Sequence, residues 1–283
     1  MWDRIAILGT GLIGGSMALA LRRHSSKSHL VGWDRPEVLT DALERGAVDE
    51  VQTDLAAALR GANLVYIALP IGRTLDLLPE IARLAEPHAL VSDACSTKGA
   101  VCAAAGQHFR GVARFLGGHP MAGKETGGIK NADADLFRGA KYVLVAEAAE
   151  PDERVKKFAA LVEAVGAQPV WLDAKTHDWA VAIISQLPQL AAVALAGVVH
   201  DETDETGLPL ALAGPGLRDT LRLAGSPYEL WRDIALTNRE NLARALDRLA
   251  QAVDHLRGIL ASRELKDEFE AANHIYQILR NLK

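Results

Sequence analysis

Ile5-Ala6-Ile7-Leu8 runs directly into Gly9-Thr10-Gly11-Leu12-Ile13-Gly14, and this junction constrains the fold of the 283-residue chain more than any other segment. A G-x-G-x-x-G run alone is weakly specific. Here an apolar strand precedes it, a helical pattern follows it, and an acid, Asp34, stands 20 residues beyond Gly14. That context is the one a dinucleotide-binding turn requires. Gly9 permits the tight turn, Gly11 lets a diphosphate approach the backbone, and Gly14 lets the helix pack on the strand. The helix N-terminus at Leu12 and Ile13 offers free N–H groups and partial positive charge to the diphosphate. Asp34 would accept hydrogen bonds from the adenosine ribose hydroxyls and repel a 2′-phosphate. It therefore favours NAD over NADP, although Arg35 beside it offsets part of that repulsion. The run Ile67-Ala68-Leu69-Pro70 ends a later strand with small and apolar groups, and Leu69 and Pro70 suit the edge of a cofactor crevice.

The rest of the first half keeps the same rhythm. Apolar runs at 4–8, 30–34, 64–69, 89–93, 115–117, 142–146 and 169–172 read as strands, most of them continuous rather than alternating. That pattern predicts strands buried on both faces, as in a parallel sheet. Helical spacing fills 14–24, 36–45, 54–59, 73–84, 99–107 and 151–165. Strand–helix alternation predicts a doubly wound α/β domain over residues 1–173.

Beyond Leu172 no segment reads as a strand. Helices are expected at 175–201, 208–223, 227–262 and 264–282, giving an all-helical domain over 174–283. Residues 179–199 carry no charge and reach transmembrane length. Gln186, Pro188 and Gln189 near the centre are costly in lipid, and no second such stretch or basic flank accompanies them. A helix buried on all sides in a bundle or dimer is expected, not a membrane span. The net charge of −5 without a basic run argues against nucleic acid and anionic membrane partners. Two cysteines, Cys95 and Cys102, are too few for a four-ligand zinc site, so no metal is expected. Sparse cysteine and an N-terminus lacking a basic, then apolar, leader point to a reducing cytoplasm.

Ligands of such sheets sit at the carboxyl ends of the strands. Two polar clusters fall there: Asp93-Ala94-Cys95-Ser96-Thr97-Lys98 and Gly117-Gly118-His119-Pro120-Met121-Ala122-Gly123. His119 suits a group that takes an alcohol proton as hydride leaves, or it braces the loop. Ser96 is placed to hydrogen-bond the same hydroxyl or to orient the imidazole. His177 precedes the long apolar helix, where Asp178 caps it or pairs with it. In the helical half, Arg218 and Arg222 share a helix face, fit either for a carboxylate ligand or for an ion pair with Asp219.

Taken together, these motifs resemble the prephenate/arogenate dehydrogenase family of tyrosine biosynthesis. The resemblance rests on Gly9 to Ser16, Asp93 to Lys98, the loop 117–123, and Gly216 to Arg222 running into Trp231-Arg232-Asp233-Ile234. It covers nearly the whole chain in order. It implies a Rossmann domain followed by a helical domain that forms a homodimer. It also implies NAD-dependent oxidative decarboxylation of prephenate to 4-hydroxyphenylpyruvate, with arogenate to tyrosine as the alternative. His119 would be the proton acceptor and Ser96 would hold the hydroxyl and His119. Arg222 would bind a substrate carboxylate, and Trp231 would reach the site from the partner subunit. Two positions depart from the pattern. Gln186 stands where many members carry histidine. Lys124 stands where many carry threonine, either adding positive charge near the carboxylates or lying on the surface. A β-hydroxyacid-type dehydrogenase would need a lysine within the long inter-domain helix, where only Lys175 stands, at the start. A non-catalytic NAD-binding sensor would have no use for Ser96, His119 and Arg222.

Overall fold

The computed structural model describes residues 2–24, 27–111, 113–145, 152–203 and 205–281. The expected element ends at 146, 151 and 282 lie outside them. The first half alternates as follows: β1 (Arg4–Leu8), α1 (Leu12–His24), β2 (His29–Trp33), α2 (Pro36–Glu44), β3 (Glu50–Gln52), α3 (Leu55–Leu59), β4 (Leu64–Ile67), α4 (Ile71–Leu84), β5 (Leu90–Asp93), α5 (Gly99–His108), β6 (Arg114–Pro120), β7 (Lys141–Val145), α6 (Glu153–Ala164) and β8 (Gln168–Trp171). Among the described residues these strands form one eight-stranded sheet, ordered β3-β2-β1-β4-β5-β6-β7-β8. The order reverses between β1 and β4, which opens a crevice at their carboxyl ends.

Continuous apolar strands need cover on both faces, and they have it. Ile5, Ile7, Tyr66 and Leu90 pack with α1 residues Met17 and Leu21 on one face. Ala6, Leu8, Val65 and Val91 pack with Leu77, Leu78 and Ile81 of α4 on the other. The expected all-parallel sheet has one exception, since β6 pairs antiparallel with β7. The strand β3 was not expected; three residues at the sheet edge carry too little apolar pattern to register.

The second half comprises α7 (Ala174–Val181), a π-turn at Ala182–Gln186, α8 (Leu187–Asp201), α9 (Leu208–Ala211), α10 (Pro215–Leu221), α11 (Tyr228–Thr237), α12 (Arg239–Ile259) and α13 (Glu264–Asn281). Asp173 starts α7 by accepting a hydrogen bond from the Thr176 N–H. One expected helix is interrupted at the break that Gly214-Pro215-Gly216 signals, and another is split where no break was expected. Gly214 is extended and Pro215 opens α10, and Asn238 leaves the helical region between α11 and α12. The π-turn falls where Pro188 has no N–H to give the preceding turn.

The long apolar helix is not enclosed within one chain. Trp179 is 60% exposed, Ile184 66% and Val198 59%, and the outer faces of α12 and α13 expose Val253, Leu260, Phe269 and Leu279. The expected burial on all sides is thus absent from the single chain, whose helical half shows a broad apolar surface.

Two carboxylates of the helical half grip the sheet half. Asp178 accepts from the Lys98 and Gly99 N–H groups, each at 2.7 Å. Asp233 accepts from the Gly72 N–H at 2.8 Å. Both thereby satisfy unpaired donors at the first turns of α5 and α4, where negative charge is favoured.

Candidate active site

The glycine turn behaves as its sequence demands. Gly9 has φ +90°, and a Cβ there would lie 2.4 Å from the Ala68 carbonyl oxygen. A Cβ at Gly14 would lie 1.9 Å from the Gly9 carbonyl oxygen, so both positions exclude a side chain. Gly11 differs, because a Cβ there meets nothing within 4 Å. Its bare backbone faces open space beside a groove of about 520 Å³, lined by Gly9, Gly11, Asp34, Ala68, Leu69 and Pro70. Asp34 braces the turn, accepting from the Thr10 N–H at 2.7 Å and the Arg35 N–H at 2.8 Å. Leu12 begins α1, with Ile13 and Gly14 in its first turn. These residues fit a dinucleotide: an open backbone for the diphosphate, a helix N-terminus and a ribose-binding acid. Trp33, Arg35 and Arg73 also line the groove. Neither Trp33 nor Arg73 was singled out from sequence, since a strand-end aromatic and a lone helix arginine carry no local signal.

Next to the groove, across the ends of β5 and β6, a second cavity of about 350 Å³ contains Ser96, His119, Met121, Ser185, Gln186 and Trp231 in its wall. The two glycines before His119 serve packing. A Cβ at Gly117 would lie 2.7 Å from Cys102 Sγ, and one at Gly118 would lie 2.5 Å from the Asp93 carbonyl oxygen. Behind them, the fully buried Lys98 ammonium donates to Asp93 and to the Gly118 carbonyl. Burial would lower the Lys98 pKa, but the Asp93 carboxylate outweighs it and pushes the pKa up. Asp93 also accepts from the Gly118 N–H at 3.0 Å. This buried pair fixes where β6 delivers His119.

His119 is held by a residue that sequence reasoning left at a helix end. Its Nδ1 lies 2.8 Å from His177 Nε2, and His177 Nδ1 lies 2.8 Å from Asp178 Oδ1. A carboxylate accepts, so His177 carries its proton on Nδ1 and presents Nε2 as an acceptor. His119 must then donate from Nδ1, which leaves the Nε2 lone pair free. Burial above all, with the positive charge of Lys98 added, holds the His119 pKa well below the ordinary imidazole value. The result is a neutral imidazole with a fixed tautomer, suited to accept a proton. The sequence signal for His177 was a histidine–aspartate pair at the mouth of an otherwise uncharged helix.

Other candidates fall differently. Ser96 shares the pocket wall with His119, yet orienting the imidazole belongs to His177. Lys124 is paired with Asp133 at 3.1 Å and with the Asn131 carbonyl, and it is not among the pocket-lining residues. A carboxylate within its own loop captures it. Arg222 pairs with Glu125 at 2.7 Å, not with Asp219, and stands outside the pocket wall. Trp231 lines the pocket of its own chain. Gln186 lines it too, at 2% exposure. Lys175 is exposed at the first turn of α7. Among the described residues no cluster of potential metal ligands occurs.

The chain is similar to known proteins over both halves. The family model for the prephenate dehydrogenase nucleotide-binding domain matches residues 17–171, and that for the prephenate dehydrogenase dimerization domain matches residues 173–273. The prephenate dehydrogenase of Lactococcus lactis is 34% identical over 276 residues, 97% of this chain and 75% of the relative. The crystal structure of prephenate dehydrogenase from Aquifex aeolicus with hydroxyphenyl propionate and NAD+ superimposes with a TM-score of 0.89 at 28% identity, covering 98% of this chain and 97% of that one. Synechocystis arogenate dehydrogenase gives a TM-score of 0.83 at 34% identity, covering 98% and 99%. Two family models spanning both halves, and a relative above 30% identity over almost the full length, place the chain in the prephenate dehydrogenase family.

Proposed function

We propose that the protein catalyses the NAD-dependent oxidative decarboxylation of prephenate to 4-hydroxyphenylpyruvate, in the cytoplasm and as a homodimer. The observation that carries this reading is the His119–His177–Asp178 chain, which ends in a free, neutral Nε2 at a pocket beside the dinucleotide groove. NAD, when bound, supplies the hydride acceptor. His119 Nε2 takes the proton of the ring hydroxyl as hydride leaves that carbon. The positive charge on His119 is shared through Nδ1–H with His177, and Asp178 balances it. Ser96 holds the hydroxyl. The ketone so formed drains electrons from the ring carboxylate bond; CO2 departs and the ring becomes aromatic.

Arg222, released from Glu125, would pair with a substrate carboxylate at the mouth of the pocket. Gly9, Gly11, Leu12, Ile13, Gly14, Asp34, Leu69 and Pro70 would hold the dinucleotide, with residues 1–173 forming its domain. Residues 174–283 would close the substrate site and form the dimer. The exposed apolar faces of α8, α12 and α13 supply the contact, at about 25 cal/mol per Å² covered. The test is NADH formation by purified protein given prephenate or arogenate, with NAD or NADP. Turnover with NAD is expected; no turnover of either acid overturns the proposal.

A further inference from the structure

Gln186 sits in the π-turn before α8, and its burial means that each amide atom needs a partner. Asn238, between α11 and α12, decides which atom faces which way. Asn238 Nδ2 lies 2.8 Å from the main-chain carbonyl oxygen of Asp178. A peptide carbonyl only accepts, so this atom of Asn238 is the amide nitrogen. Its Oδ1 in turn accepts from Asn241 Nδ2 at 2.8 Å. The second hydrogen of Asn238 Nδ2 points to Gln186, 2.8 Å away. Gln186 must therefore present Oε1 there, because the flipped amide would set NH2 against NH2 in a buried place. What remains for the pocket is Gln186 Nε2, a pure donor with no hydrogen bond to any described residue.

A second orphan donor stands in the same wall. The Trp231 indole N–H is buried without a hydrogen-bond partner. The pocket wall contains no aspartate or glutamate, and the nearby Glu125 is engaged by Arg222. An ammonium set beside Gln186 Nε2 would meet an N–H donor, with no carboxylate in the pocket wall to balance its charge. A carbonyl or carboxylate oxygen would satisfy that donor.

We propose that Gln186, locked by Asn238 as a neutral donor, selects a substrate whose side chain is an α-keto acid over the corresponding α-amino acid. In terms of the function proposed above, on which this rests, the site takes prephenate and rejects arogenate. Donors left unpaired, or set against a cation, discriminate strongly because they cannot reach water instead.

The experiment compares kcat/KM for the two acids with NAD, in the wild type and in Gln186→Glu and Gln186→Leu. The wild type should favour prephenate by about a hundredfold or more. Gln186→Glu can still accept from Asn238, yet it turns an acceptor and a negative charge into the pocket. It should move the prephenate/arogenate ratio toward arogenate by more than about tenfold. Gln186→Leu should lower prephenate kcat/KM with a smaller change in ratio. NAD affinity should stay unchanged in both variants, showing that the fold is intact. A wild type that prefers arogenate, or a ratio unmoved in Gln186→Glu while NAD still binds, overturns this inference alone. Absence of NADH from either acid would instead defeat the dehydrogenase reading.

Discussion

The glycine-turn groove and the His119 pocket both open at the carboxyl ends of the strands, yet they are built from different materials. The groove is mostly backbone. Gly9 and Gly14 are excluded from carrying side chains by carbonyl oxygens 2.4 and 1.9 Å from where a Cβ would sit, and Gly11 leaves its backbone bare. The pocket is mostly side chains that converge from β5, β6, α7, the π-turn and α11. A backbone site is specified by a short stretch of sequence and tolerates little change in it. A side-chain site is specified by contacts between distant segments, here locked by Asp178 and Asp233 on the first turns of α5 and α4.

The largest expected effect falls on the side-chain site. His119→Asn should keep NAD affinity and lose about 10²–10⁴-fold in kcat, the usual contribution of a positioned base. Full activity in that variant would remove His119 from the chemistry. His177→Leu should cost less, about 10–100-fold, equivalent to a hydrogen bond to a charged group worth ~1.5–3 kcal/mol. It also breaks the tautomer lock, so the pH profile should change along with the rate. In the wild type, His119 must be neutral to accept a proton, and its pKa is lowered. Log kcat/KM should therefore stay level as pH falls through the ordinary imidazole value of about 6.5 and drop only well below it. A drop centred at the ordinary value would show that burial does not tune the base.

The two halves part further with the glycines. Gly11→Ala faces open space, so thermal stability should hold while NAD affinity falls by about tenfold or more. Gly14→Ala collides with backbone and should lower stability by about 1–3 kcal/mol, read as a fall in Tm. Equal behaviour of the two variants would erase the distinction between a ligand-facing and a packing glycine. The smallest effect is expected outside the pocket wall. Arg222 is exposed and already paired with Glu125, so Arg222→Ala should raise KM for prephenate by about tenfold with little change in kcat. An unchanged KM would leave Arg222 as a surface ion pair.

The same contrast explains what could be read from sequence. Gly9, Gly11, Gly14 and Asp34 announced themselves because their roles follow from local backbone geometry and fixed spacing. His119 stood out from its glycine-rich loop just after an expected strand, and the doubly wound α/β domain followed from strand–helix alternation. The partner of His119 was not visible. His177 lies 58 residues away, and nothing local distinguishes a relay histidine from a helix-capping one. Asn238 carries no local signal in the sequence, yet it is buried against Asp178 and Gln186. Arg222, Lys124 and Trp231 were drawn to the site by likeness to a family. Only Trp231 lines the pocket, and it does so from its own chain. Exposed apolar side chains on α8 and α12 show the same limit: an uncharged apolar run predicts that something covers it, not whether the same chain does.

The most direct test of the central claim is to measure NADH and CO2 together from prephenate and NAD, for the wild type and for His119→Asn. The account predicts one CO2 for each NADH in the wild type, and loss of both in a variant that still binds NAD with wild-type affinity. Wild-type NADH and CO2 output from His119→Asn, or a wild type that binds NAD but turns over neither prephenate nor arogenate, would contradict it.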